Sequence, residues 1–152
     1  MSYILYTPAK RKILDGTIKL YSDTLKMMLV TSAYTPAAED DLLDMAGTND
    51  AHAAETVATN YTGGFGGSGR KTLTTVAFSI DATNHKAYWS CDPITWSTLG
   101  GVTNETIVAG VVIKEVTDDA HSLPILYADI ADFLTNGSDL TLTPDSTGIF
   151  RW

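Results

Sequence analysis

Three tracts of this 152-residue chain carry side chains of the types that do chemistry. Cys91 lies beside Asp92 and six residues from His85, the ingredients of a thiolate nucleophile with an imidazole base. Along one strand, residues six apart are roughly 20 Å from each other, so a direct hydrogen bond is excluded there. Cys91 reads instead as a buried, inert thiol. Gly64-Phe65-Gly66-Gly67-Ser68-Gly69 satisfies the GxGxxG spelling of a dinucleotide site. That chemistry needs a strand before the glycines and a helix after them, so that backbone amides meet a pyrophosphate. Here Tyr61-Thr62 precedes and the strand-like RKTLTTV follows, so the glycines read as a flexible loop. Arg70-Lys71-Thr72 also departs from the P-loop, which wants its lysine directly after the final glycine. Asp118-Asp119-Ala120-His121 has cation-binding groups in the pattern of a solvated turn, and His52, His85 and His121 show no ligand spacing. No catalytic residue, cofactor or metal site is therefore expected. A hydrolase acting on cell-wall polymer would need two acids facing each other across roughly 5 to 9 Å of cleft.

The elements that would position these residues are mostly strands. Thr7-Pro8 reads as an N-cap and first helical residue and Gly16 as a stop, which predicts a short helix over 8–15. TIKLY (17–21) alternates like a strand, and LKMMLVTS (25–32) follows it after a short turn, the pattern of an antiparallel hairpin. Thr35-Pro36, the acids Glu39, Asp40 and Asp41, and the apolar face of Ala38, Leu42 and Met45 predict a second short helix ending at Gly47. From Ala46 to Arg70 the periodicity fades, apart from a possible short strand at 56–59, and the long tract reads as a contact arm. Strands are then expected at 73–81, 85–91, 107–116, 123–130, 139–143 and 148–152, separated by turn formers such as Asp92-Pro93 and Asn136-Gly137. Val76, Phe78 and Ile80 should form one buried face, while IVAGVVI (107–113) is apolar on both faces, as a central strand is. Twenty-two threonines favour a pleated surface. The expected fold is mainly β, a single antiparallel sandwich or barrel with two short helices near the N-terminus.

Charge is unevenly distributed. Residues 1–35 carry Lys10, Arg11, Lys12, Lys19 and Lys26 against Asp15 and Asp23, a net of +3. Residues 36–152 carry sixteen acids and five bases, a net of −11. Such a body repels phosphate backbones, so a nucleic-acid partner is not expected. No apolar run approaches the roughly 20 residues that span a bilayer, so neither is a membrane. One cysteine excludes an internal disulfide. The N-terminus lacks a signal-peptide pattern, so a cytosolic site of synthesis is expected and three glycosylation sequons read as chance matches.

DGTIKLYSDTLKMMLVTSAYTP (Asp15 to Pro36) is similar to the opening of a group of small tailed-phage and prophage virion proteins. Tyr61-Thr62-Gly63-Gly64, Lys71-Thr72-Leu73, DPITWS (Asp92 to Ser97) and AGVVIK (Ala109 to Lys114) follow in the order those proteins show. The resemblance weakens after Ser122, and the glycine-heavy loop and AGTNDAHAAE (46–55) depart from it. It implies a virion structural protein, a capsid decoration (cement) protein assembled in the host cytoplasm, with the major capsid protein as partner. It also implies a homotrimer on local threefold axes of the outer capsid surface. The alternative within the virion is a head- or tail-fibre module that binds the host surface. The candidate contact residues are Lys10, Arg11 and Lys12, the one basic patch, and Gly64, Phe65, Gly66 and Arg70, in a loop expected to order on docking.

Overall fold

The computed structural model describes residues 2–44, 50–144 and 150–151. The chain is mainly β and its strands pair antiparallel, as the sequence predicts. In chain order the elements are β1 (Ser2–Leu5), α1 (Thr7–Leu14), β2 (Lys26–Thr31), β3 (Lys71–Thr72), β4 (Ala77–Asp81) and β5 (Lys86–Ser90). They continue with β6 (Ile94–Leu99), β7 (Thr106–Lys114), a 3-10 turn (Asp119–His121), β8 (Leu123–Leu134), β9 (Ser138–Leu142) and β10 (Phe150–Arg151).

The main sheet has five strands in the order β1-β8-β7-β2-β3. Its centre is the doubly apolar tract expected there: Val111, Val112 and Ile113 of β7 and Met28, Leu29 and Val30 of β2 are fully buried. A three-stranded sheet, β10-β5-β4, and a two-stranded one, β6-β9, complete the framework. Trp89 of β5, Trp96 and Leu99 of β6 and Leu140 of β9 belong to the same core as the main sheet. Gly110 is the close-approach point between sheets. A Cβ there would lie 2.8 Å from Met27 Sδ and 3.4 Å from Leu142 Cδ1, so its lack of a side chain lets β9 settle onto β7.

Several expectations are corrected. Tyr6, not Thr7, occupies the N-cap position, and the helix runs 7–14 with Pro8 in its first turn. Residues 17–21 form turns instead of a strand. Asp23 Oδ2 accepts from the Lys19 N–H at 2.8 Å and Ile18 N–H bonds Lys12 O at 2.8 Å, so a local carboxylate closes the backbone on itself. Ile18 and Leu20 are still buried, which is why the period-2 pattern arose. The second helix does not form over 36–44, and Met45 and Gly47 lie outside the described residues. Asp40 is buried, accepting from the Ala37 N–H at 3.0 Å and the Tyr34 hydroxyl at 2.7 Å, and Leu43 N–H bonds Ser122 O at 3.0 Å. Backbone and carboxylate are thus engaged in non-helical geometry. Residues 56–59 form no strand: an isolated bridge joins Val30 to the neighbouring Glu55, and the Thr56 N–H bonds Leu29 O at 3.1 Å. β1 and β6 are strands that the sequence reading did not assign.

The expected buried face of Val76, Phe78 and Ile80 is also overturned. Phe78 is 51% exposed and Ile80 82%, because the β4–β5 hairpin runs out past the body and only its base, at Trp89, is covered.

Candidate functional site

The glycine-rich loop is built around one buried arginine. The Arg70 side chain is 0% exposed, although it carries a full charge in an acidic protein. Its Nε and Nη2 grip Glu55 in a two-pronged pair, at 2.9 Å to Oε1 and 2.7 Å to Oε2. Its Nη1 donates to Asp119 Oδ1 at 2.5 Å and to Glu115 Oε1 at 3.2 Å. The planar fork of arginine suits several carboxylates at once, which a lysine point charge does not. Burial disfavours the guanidinium charge, but Glu55 and Asp119 more than offset it and hold Arg70 above its ordinary value.

The three carboxylates then hold the loop. Gly64 N–H donates to Glu55 Oε2 at 2.9 Å, Phe65 N–H to Asp119 Oδ2 at 3.0 Å and Gly66 N–H to Glu115 Oε1 at 3.0 Å. Three successive amides therefore bind three acids that share one arginine. Tyr61, whose hydroxyl donates to Glu55 Oε1 at 2.8 Å and accepts from the Leu29 N–H at 3.1 Å, ties the cluster to β2. Burial and the adjoining Glu55 charge push the Tyr61 phenol far up, so it stays a donor. Lys26 on β2 completes Glu115, at 2.5 Å to Oε2. His52, 37% exposed, borders the cluster with Nδ1 3.3 Å from Asp119 Oδ2.

Where the sequence suggests a flexible loop, residues 64–66 are hydrogen-bonded to the body of the protein. The amides that a dinucleotide site would turn toward a phosphate are satisfied here by the protein's own carboxylates. Converging acids are what a hydrolase needs, yet every oxygen of Glu55, Glu115 and Asp119 already accepts a hydrogen bond or ion pair. A groove of about 420 Å³ lies alongside, lined by His52, Glu55, Val57 and Tyr61 among others. The chemistry of the cluster is to fix a shape: it presents Phe65, 46% exposed, on a preformed turn.

The other sequence-derived candidates separate. Lys10 and Arg11 lie exposed on α1, whereas Lys12 is half-buried and paired with Asp41, so the basic patch is narrower than the triplet suggests. Gly64, Phe65 and Gly66 form the outer turn. Arg70, expected among the contact residues, points inward and is unavailable to a partner. Burial, then the Asp92 charge, pushes the half-buried Cys91 thiol up to about 11, which leaves little thiolate at neutral pH. Among the described residues no cluster of three or more His, Cys, Asp or Glu is arranged to hold a metal ion. No helix among them is long and apolar enough to cross a membrane. Sequence reasoning did not single out Glu55 or Glu115 and read Asp119 as part of a solvated turn; the acids reach Arg70 from two distant segments, at 55 and at 115–119.

One consequence is measurable. Burial alone would raise the Glu115 carboxyl, but Lys26, the Gly66 amide and Arg70 outweigh it and hold the group below the ordinary glutamate range. A carboxylate depressed on folding stabilises fully above its unfolded value, about 4.3, and loses that contribution as pH falls through the lower folded value. Urea-unfolding stability should therefore decline from about pH 4 downward, and Glu115→Gln should flatten that decline while lowering stability at pH 7. An unchanged acid limb in Glu115→Gln would show that this carboxylate is not a contributor.

No protein-family model, curated protein or solved structure matches the chain.

Proposed function

We propose that the chain is a structural protein of a tailed-phage virion, a decoration protein that binds the outer capsid surface and stabilises the shell. The observation that carries this reading is the meeting, at one place, of the tracts that resemble such proteins. β2, from the opening tract, pairs with Lys71-Thr72 on one side and with Ala109 to Ile113 on the other. Tyr61 reaches the β2 backbone, and Trp96 of the DPITWS tract donates its indole N–H to Gly69 O at 2.6 Å, closing the glycine loop from below. Motifs scattered from Asp15 to Lys114 are thus the framework that holds the Phe65 turn, which supports a shared architecture over chance similarity.

On this reading the partner is the major capsid protein, and two surfaces are suited to it. Lys10 and Arg11 make no ion pair among the described residues and can meet an acidic shell. Phe65 is a half-exposed aromatic on a turn already in its final form, so little ordering entropy opposes docking. The acidic body is better tolerated on the outer surface than against packaged DNA. Many copies on a lattice gain avidity, so neither surface needs to be large.

Mass spectrometry of purified particles, with copy number, tests the reading directly. Copies in proportion to the capsid lattice are expected, a few copies confined to the tail would favour the fibre module, and absence from particles would overturn both. Neutralising Lys10 and Arg11 together should weaken binding to empty shells and reduce its salt sensitivity while leaving the melting temperature unchanged. Unaltered binding would remove α1 from the contact.

A further inference from the structure

The β4–β5 hairpin carries an apolar face beyond the body of the protein. Phe78 stands opposite Trp89 and Ile80 opposite Ala87, so these four share one face of the ribbon. Exposure on that face rises outward, from 2% at Trp89 to 51% at Phe78 and 82% at Ile80. Tyr21, 78% exposed, extends the patch, its ring centroid 6.2 Å from that of Phe78. β4 is also the terminal strand in the order β10-β5-β4. Among the described residues, none of Ala77 to Asp81 makes a backbone hydrogen bond outside the ladder with β5.

Sheet edges of this kind are ordinarily protected by lysine, proline or a bulge. β4 reads AFSID and has neither residue, and its register with β5 is uninterrupted. We propose that β4 is a self-association edge, on which a second copy of the chain lays its own β4 antiparallel about a twofold axis through Ser79. That register is self-complementary. Phe78 falls opposite Ile80 of the partner subunit, and Ile80 opposite Phe78 of the partner subunit, which closes the apolar face over itself. It also sets Asp81 opposite Ala77 of the partner subunit, so the two acids at the turn ends do not meet. Two bodies of net charge −8 repel each other, and Ala77 to Ile80 offer an uncharged stretch of edge across which that repulsion is least. A five-residue strand and three apolar side chains on each copy make a small interface, so pairing depends on protein concentration.

Sedimentation velocity over a concentration series tests the assignment. The wild-type chain should pass from monomer to dimer, and Ile80→Lys should weaken the dimer by about tenfold or more. Ile80 is mostly solvent-facing, so the variant keeps its fold, which its melting temperature checks. A second variant fixes the register. Opposed Cα atoms of an antiparallel pair lie about 4.5 to 5.5 Å apart, within disulfide reach. Ser79→Cys in a Cys91→Ser background should therefore give a covalent dimer on mild oxidation, and adding Ile80→Lys should abolish it. Monomer throughout, a dimer indifferent to Ile80→Lys, or the trimer that the virion resemblance implies would each overturn the twofold edge. The inference does not rest on the virion reading: a dimer of a chain absent from particles upholds the one and defeats the other.

Discussion

Replacing Arg70 by methionine is expected to destabilise the fold by about 3–5 kcal/mol, the cost of removing one partner from a buried ionic cluster. The side chain is fully enclosed and opposes Glu55, Glu115 and Asp119, which are themselves only 4%, 12% and 11% exposed. Methionine fills much of the volume but leaves three carboxylates near one another without their shared cation. The pH dependence identifies the cause. Without Arg70, mutual repulsion among three buried carboxylates destabilises the variant while they are ionised. Protonation relieves this, and the deficit relative to wild type should be largest at pH 7 and shrink toward pH 4. Urea unfolding at several pH values measures both quantities. Arg70→Lys should recover little, since one ammonium cannot reproduce the forked contact with Glu55 together with the bonds to Asp119 and Glu115. A loss below about 1 kcal/mol at pH 7, the range of a surface pair, would refute the central role of the cluster.

Gly67→Ala should act on the same turn from the backbone side. A Cβ on Gly67 would lie 2.3 Å from Thr62 O and 2.4 Å from Gly63 O, both main-chain atoms that cannot swing away. The turn must open, and opening it separates the amides of Gly64, Phe65 and Gly66 from Glu55, Asp119 and Glu115. Overpacking of this kind costs roughly 1–3 kcal/mol, with the weakened carboxylate contacts added to it. Gly66→Ala is the control. No atom lies within 4 Å of its Cβ position, and its φ of +73° alone imposes a left-handed cost of about 1–2 kcal/mol. Hydrogen exchange separates the two: the amides of residues 64, 65 and 66 should lose protection in Gly67→Ala and largely keep it in Gly66→Ala. Because Arg70 and Gly67 act on one turn, their double variant should fall short of the summed losses. Equal exchange in both single variants would show that the close approach at Gly67 is not what shapes the turn.

The two variants bear on function because the turn presents Phe65. If the aromatic contacts a capsid shell, Gly67→Ala should weaken shell binding even where most of the chain stays folded. Phe65→Ser should weaken it without loss of stability.

The boundary between what was legible in the residues and what was not follows from the range of the forces. Period-2 alternation and β-branched content report local exposure to a pleated surface, so β2, β5, β7 and β9 could be placed to within a residue or two. The apolar run 107–113 announced its central position because a strand covered on both faces has no polar side to show. The same local signal misled at 17–21, where Ile18 and Leu20 are buried but Asp23 closes a turn, and at 36–44, where Asp40 is taken inward by Tyr34. In each case a carboxylate competed with the backbone for its own hydrogen bonds, and apolar spacing carries no information about that competition.

By itself, the amino-acid sequence determined the mainly β class, the central strand and the acidic body. Only tertiary structure decided that three carboxylates hold the glycine loop, that Arg70 is its hub instead of a surface contact, and that Phe78 and Ile80 face solvent. Alternation is a property of neighbours in the chain, whereas an ion cluster joins residues 55, 70, 115 and 119, whose meeting depends on how every intervening element packs.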